Sequence, residues 1–159
     1  MTVEERRLIE LMEMRRAGDA TGIERLFHPT AVYDDFTSGV TYRDLPEIAD
    51  FMEAFHTADG AVFLEVISYH AGNGMAVAEW VLEGNREGPS GVSGDSLVVR
   101  RFRVDGLTLI EVQGGLIVRA ADYGDPIPLI LAEGGAVVFP EGDTLRAEAE
   151  SATGPPPRR

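Results

Sequence analysis

The sequence predicts an α+β domain, with helices packed on one face of a curved, mostly antiparallel sheet. Three observations carry that reading. Apolar residues recur at helical spacing up to about residue 56, and a period of two takes over from residue 61. The strands that follow are divided by turn signals, so helices come first and a run of antiparallel strands comes after. Finally, 159 residues without cysteine make one domain, large enough to bury a core without disulfides or metals.

Composition narrows the function classes. Acids number 27 against 14 bases, a formal net charge of −13, and they are spread rather than blocked. Such a surface is a poor partner for nucleic acid or for an anionic membrane. No apolar run is long enough to span a bilayer and no basic-then-apolar leader opens the chain, so a cytoplasmic protein is expected. Every base is arginine, which excludes a lysine Schiff base, and the lack of cysteine excludes thiol nucleophiles and thiolate metal sites. His28, His56 and His70 show no metal-ligand spacing, so neither metal nor cofactor is expected. Carboxylates, hydroxyls and imidazole remain, and these suit proton transfer.

In chain order, Thr2–Ala17 sets Val3, Leu8, Ile9, Leu11 and Met12 among Glu and Arg at helical spacing, and Gly18 can end the helix in a left-handed cap. Asp19 is a reasonable N-cap for a second, shorter helix that turns Ile23, Leu26 and Phe27 inward. His28-Pro29 ends it, because the residue before a proline avoids helical angles. Ala31–Phe36 is a short strand with Ala31, Tyr33 and Asp35 on one face, running into a loop at Thr37-Ser38-Gly39. Asp44-Leu45-Pro46-Glu47 starts a helix with a capping acid, a first-turn proline and a glutamate three residues on. That helix runs through Ile48, Phe51, Met52 and Phe55 to about His56, where a helix C-terminus favours a cation.

Ala61–Ala71 and Met75–Gly84 form strands joined at Gly72-Asn73-Gly74. Asn85–Asp95 reads as a loop, and Ser96–Val112 as a long strand with a bulge or bend at Asp105-Gly106. The last strand returns after a tight Gln113-Gly114-Gly115 turn. Strict alternation along it puts Val118, Ala120 and Asp122 on one face and Ile117, Arg119, Ala121 and Tyr123 on the other. An acid ending an apolar face either reaches water or lies at the floor of a pocket with a shifted pKa. Beyond it, Leu129-Ile130-Leu131 and Ala136–Phe139 are short apolar pieces that pack over an open end of the domain or against a second subunit. The domain spans 1–140, and 141–159 is a loose acidic, proline-rich tail.

Three patches resemble the SnoaL-like branch of the nuclear transport factor two superfamily: AGDATGIERLFHPTAVYDD, VAEWVLEG and LIEVQGGLIVRAADYGD. Together they span roughly residues 2–126, and they resemble the family more specifically in fold than in activity. The resemblance implies a cone-shaped α+β barrel of the cystatin-like kind, with about three helices from the N-terminal half on the concave side of a mixed or antiparallel sheet. It also implies a homodimer.

In SnoaL-like polyketide cyclases an aspartate of the closing strand is the general acid/base, and Asp122 stands at the matching place. Limonene-epoxide hydrolases add an arginine and a second aspartate on the central strand, where this chain has Trp80 and Leu82. Ketosteroid isomerases place a base at the end of the first strand, where Asp35 falls. Their oxyanion donors, a tyrosine and a protonated aspartate, match Leu11 and Thr108 here, a loss of several kcal/mol of transition-state binding.

A curled sheet would then gather Tyr33, Asp35, Trp80, Leu82, Thr108, Ile110, Ala120 and Asp122, with Phe51 and Phe55 from the long helix. His56 and Leu11 complete the substrate-binding positions. No arginine is expected on this face, and no phosphate loop is present. The walls suit a flat or polycyclic carbonyl compound. Asp122 would be the principal acid or base, paired with Asp35, while Tyr33 or Thr108 bonds a developing oxyanion. The expected activity is cofactor-free cyclisation, isomerisation or dehydration of a hydrophobic, polyketide-like substrate. The alternatives are a small-molecule binding module without turnover and an epoxide hydrolase with an altered triad.

Overall fold

A computed structural model describes residues 1–57, 62–89 and 96–147, with the side chains of residues 55–57 outside the described set. Local capping explains the first helix. In α1 (Val3–Ala17) the Thr2 hydroxyl accepts the Glu5 N–H at 3.1 Å, and Gly18 closes the helix at φ 62°. The buried residues of α1 are Leu8, Leu11, Met12 and Arg15, the i, i+3, i+4, i+7 stripe of one helix face.

The expected second helix is reduced to a 3-10 turn, Ile23–Arg25. Asp19 does not cap it. Its Oδ1 accepts the Thr21 N–H at 2.9 Å, and Gly22 enters the turn at φ 83°, so the intervening residues go into turn geometry. Strand β1 (Phe27–Asp35) therefore begins earlier than the proline suggested. Pro29 lies where the ladder to the neighbouring strand is interrupted, between Phe27 and Val32, so its missing N–H costs no sheet bond. The Thr37-Ser38-Gly39 loop leads into a short strand, β2 (Val40–Tyr42), that the sequence did not announce. At the start of α2 (Leu45–Thr57), Asp44 Oδ1 accepts the Glu47 N–H at 2.9 Å and the Glu47 carboxylate reaches back to the Arg43 N–H at 2.8 Å.

Four longer strands complete the sheet: β3 (Phe63–Gly72), β4 (Met75–Pro89), β5 (Leu97–Gln113) and β6 (Leu116–Gly124). Their order with the first two is β2-β1-β6-β5-β4-β3, parallel between β1 and β6 and antiparallel elsewhere. This is the curved mixed sheet of the α+β prediction, but it does not close into a barrel, because β2 and β3 remain edges. The third α-helix, α3 (Ile127–Ala132), comes from the C-terminal half rather than the N-terminal half. It forms from the apolar piece around Leu129 and packs over β4 and β5.

Three local expectations are corrected. Asn85–Pro89 is not loop but pairs with Leu97–Arg101, extending the β4–β5 hairpin, and Ser90–Asp95 lies outside the described residues. Asp105-Gly106 holds no bulge, since β4 and β5 stay in register through it. The irregularity lies instead between β5 and β6, where Val112 faces Ile117 and Glu111 faces Arg119. Val118 is the extra residue, so Ile117 and not Val118 joins the core beside Ala120. Within the predicted tail, Thr144–Arg146 (β8) pairs with Ala136–Val138 (β7) as a separate two-stranded ribbon.

The core lies between the helices and the inner face of the sheet. Leu8, Leu11, Met12, Ile48 and Met52 meet Ala31, Tyr33, Ala76, Ala78, Ile110 and Ala120. Among the described residues, no helix is long and apolar enough to cross a membrane.

Candidate functional site

Sheet register builds the site. Asp35 lies beside Asp122 across the parallel β1–β6 pair, and Asp122 lies opposite Thr108 across β6–β5. Trp80 on β4 pairs with Gly106, and its indole crosses to Thr108, donating Nε1–H to Oγ1 at 2.8 Å. Gly106 makes that possible: a Cβ there would lie 2.3 Å from a carbon of the Trp80 ring. The glycine predicted as a bend is thus the floor on which the indole rests.

The last component comes from α1. Arg15, 1% exposed, points its Nη1 at Thr108 Oγ1 (2.9 Å) and at Asp122 Oδ1 (3.1 Å), with its guanidinium 5.5 Å from the Trp80 ring centre. Thr108 in turn donates its hydroxyl to Asp122 Oδ1 at 2.5 Å. Arg15 corrects the expectation that no arginine reaches this face. A signal for it was present, since Arg15 occupies the i+7 place of the Leu8-Leu11-Met12 stripe, where a helix in this setting buries its side chains.

The electrostatics follow from burial. Desolvation raises the Asp122 pKa above the usual carboxylate value, opposed by the Arg15 charge and the Thr108 hydrogen bond and assisted by Asp35. Desolvation lowers the pKa of Arg15, but the charges of Asp122, Tyr33 and Asp35 outweigh it and hold the guanidinium cationic. Burial likewise pushes the Tyr33 phenol well above its ordinary value. The Tyr33 hydroxyl stands close enough to Asp122 to favour its charged form, but without good hydrogen-bond geometry.

This cluster opens onto a cavity of about 290 Å³. Of the predicted positions, Asp122, Asp35, Trp80, Leu82 and Phe51 line it. Arg15, Val104, Thr37 and Ser38 add to the wall, and α3 with its flanks contributes Pro126, Leu129, Ile130 and Glu133. The C-terminal apolar piece therefore covers the end of this domain's own cavity.

Other predicted positions do not line it. Leu11, Ile110 and Ala120 are fully buried in the core, because the helices lie directly against them. Tyr33 and Thr108 are also fully buried, behind the carboxylate rather than in the wall. The side chains of Phe55 and His56 lie outside the described residues.

Asp35 has a second task. Its Oδ1 accepts the N–H groups of Thr37 (3.0 Å) and Ser38 (3.3 Å), and its Oδ2 accepts the Ser38 hydroxyl at 2.5 Å. The acid thus caps the β1–β2 turn as well as lining the cavity. Thr37 Oγ1, by contrast, is a buried hydroxyl oxygen with no hydrogen-bond partner among the described residues. Sequence reasoning passed over Thr37 as a loop residue. At the cavity mouth Glu133 pairs with Arg86 at 3.6 Å. Among the described residues, no cluster of three or more His, Asp or Glu side chains is arranged to hold a metal ion.

The family model for the SnoaL-like domain matches residues 6–120. The chain belongs to the SnoaL-like domain family. The resemblance to the SnoaL-like branch drawn from the three sequence patches is borne out. No curated protein matches the sequence. Solved structures show the same fold at low identity. A candidate SnoaL-like polyketide cyclase from Shewanella putrefaciens CN-32 is 14% identical with a TM-score of 0.63, covering 81% of this chain and 94% of that one. An epoxide hydrolase of the LEH-like kind from M. tuberculosis is 13% identical with a TM-score of 0.60, over 82% of this chain and 89% of that one. A Catenulispora acidiphila protein with a ketosteroid isomerase-like fold, solved with trimethylamine, is 19% identical with a TM-score of 0.58, over 78% and 92%. Structures sharing this fold thus include a candidate polyketide cyclase, an epoxide hydrolase and a protein with a ketosteroid isomerase-like fold, and the chemistry of this chain has to be argued from its own cavity.

Proposed function

We propose that this SnoaL-like protein is an enzyme that carries out general acid/base chemistry, without a cofactor, on a hydrophobic carbonyl compound of polyketide-like character. One observation carries the reading: a buried carboxyl of raised pKa, Asp122, lies in the wall of an apolar cavity beside a buried cation, Arg15. A carboxylate in that setting is a stronger base than one in water. Asp122 takes the proton from a carbon next to the substrate carbonyl and returns it to the new hydroxyl of a ring-closed product, to another carbon of an isomerised one, or to the hydroxyl that departs as water in a dehydration. Arg15, which also lines the cavity, offsets the charge that develops on the carbonyl oxygen, and the unpartnered Thr37 hydroxyl is a donor for it. Thr108 is not such a donor, since its single O–H is given to Asp122.

A second reading is favoured by the position of Arg15. The hydrolase arrangement is missing at Trp80 and Leu82, but Arg15 and Asp35 bring an arginine and a second carboxylate to Asp122 from other elements. Protonation of an epoxide oxygen by Asp122, with water activated by Asp35, is the corresponding chemistry.

The test uses the purified protein with a panel of apolar carbonyl compounds and epoxides, following product by mass spectrometry and binding by calorimetry. Asp122→Asn should lower turnover by about 10²–10⁴-fold while ligand still binds. Unchanged turnover in that variant refutes the acid/base role. A ligand that binds and is returned unchanged by the wild-type protein identifies a binding module instead.

A further inference from the structure

The hydrogen bonds around Thr108 leave little freedom for the proton of Asp122. A threonine hydroxyl has one hydrogen to give and two lone pairs to receive. Both lone pairs of Thr108 Oγ1 are met by groups that can only donate, the Trp80 indole N–H at 2.8 Å and the Arg15 guanidinium at 2.9 Å. The hydroxyl hydrogen is therefore directed to its one remaining close partner, Asp122 Oδ1. That oxygen also receives Arg15 Nη1 at 3.1 Å, so two donors occupy it. Oδ1 has no room for a proton of its own.

We propose that Trp80 and Thr108 are positioning residues that confine the exchangeable proton of Asp122 to Oδ2. The catalytic consequence rests on the acid/base reading above: proton exchange with substrate then runs through one defined oxygen. In the ionised state the same bonds hold the carboxylate in place. In the protonated state they keep the acid from turning its O–H back toward Thr108. Gly106 belongs to the device, because any side chain there would displace the indole. The groups facing the carboxyl are Arg15 from α1, Tyr33 and Asp35 from β1 and Thr108 from β5, with Glu133 on the wall of the same cavity. Of these, Thr108 is the one hydrogen-bonded to both Asp122 and the Trp80 indole N–H, whereas Arg15 meets the indole at its ring face, 5.5 Å from the centre.

Trp80 is the only tryptophan, so its indole N–H resonance is an unambiguous reporter. The experiment is an NMR titration of the ligand-free protein that follows the indole N–H and the Asp122 carboxyl carbon together. In the wild type the two should share one midpoint, and Asp122→Asn should remove that step from the indole. Thr108→Val should uncouple the indole and shift the Asp122 midpoint upward by about tenfold in protonation equilibrium, because a donor to the charged form is lost. Thr108→Ser should restore both signals. Trp80→Phe keeps a ring over Gly106 without the N–H, and should raise the midpoint by less than Thr108→Val does.

An indole that ignores the Asp122 titration in the wild type overturns the proposal. So does a Thr108→Val protein that titrates as the wild type, or a Thr108→Ser protein that behaves as Thr108→Val. Because no substrate is needed, absence of turnover would defeat the enzyme reading and leave this result standing. An unchanged titration in a protein that still turns over would defeat only the proton assignment.

Discussion

Replacing Arg15 by methionine tests the centre of the site most severely. The substitution keeps most of the buried volume of a side chain that is 1% exposed, but removes the cation and the donors that serve Asp122 and Thr108. Breaking one partner of a buried ion pair costs on the order of 3–5 kcal/mol, because the other charge is left uncompensated. Here the cost depends on pH in a definite direction. The folded Asp122 pKa is already raised, so the stability tied to this group is fully present below the unfolded value of about 3.9 and is lost as pH rises through the folded value. Without Arg15, which opposes that rise, the folded pKa moves higher still. The pH window of loss widens upward, by about 1.4 kcal/mol per unit.

Urea unfolding of Arg15→Met at about pH 7 should therefore show a loss near that range, and the loss should shrink toward about pH 4, because the raised pKa lets Asp122 take up a proton and shed its uncompensated charge as pH falls. Combining Arg15→Met with Asp122→Leu should cost less than the sum of the two single changes. A loss below about 1 kcal/mol, as for a surface pair, would refute the buried pair, and so would a loss equal at both pH values.

Gly106→Ala should destabilise by about 1–3 kcal/mol, since the new methyl overlaps the Trp80 ring, and the near-ultraviolet circular dichroism of the indole should change with it. A stable variant with an unaltered indole signal would contradict that packing. Asp35→Ala removes the acceptor of two backbone N–H groups and the Ser38 hydroxyl. It should cost about 1–3 kcal/mol and speed hydrogen exchange at the Thr37 and Ser38 amides, whereas unaltered exchange would deny the capping role. Leu129→Ala opens the cavity wall supplied by α3 and should weaken binding of an apolar ligand by about tenfold in calorimetry. Equal affinity would place the ligand elsewhere.

What was legible in the sequence was the part set by local rules. The α+β class, the start of α2 at Asp44 and the end of α1 at Gly18 follow from periodicity and capping, which act within a few residues. Asp122 stood out because a carboxylate closes an otherwise apolar strand face. Errors arose where a local signal had a tertiary cause. Gly106 looked like a bulge, and its reason is the indole of a residue on the neighbouring strand. Alternation along β6 failed at Val118, because a bulge against β5 is a property of the pair and not of either strand.

The sequence by itself thus determined the two long helices, most of the longer strands and which acid was worth watching. Only the tertiary structure decided what surrounds that acid. An arginine in a helix rich in Glu and Arg reads as a solvated residue, and the Leu8-Leu11-Met12 stripe tells which face Arg15 shares but not that its charge finds partners there. Its burial requires a specific oxygen on β6, 107 residues away, a hydroxyl on β5 and an indole on β4 to meet it together. Charge burial is favourable only when such partners converge, and convergence across four elements is a property of packing that no local pattern contains.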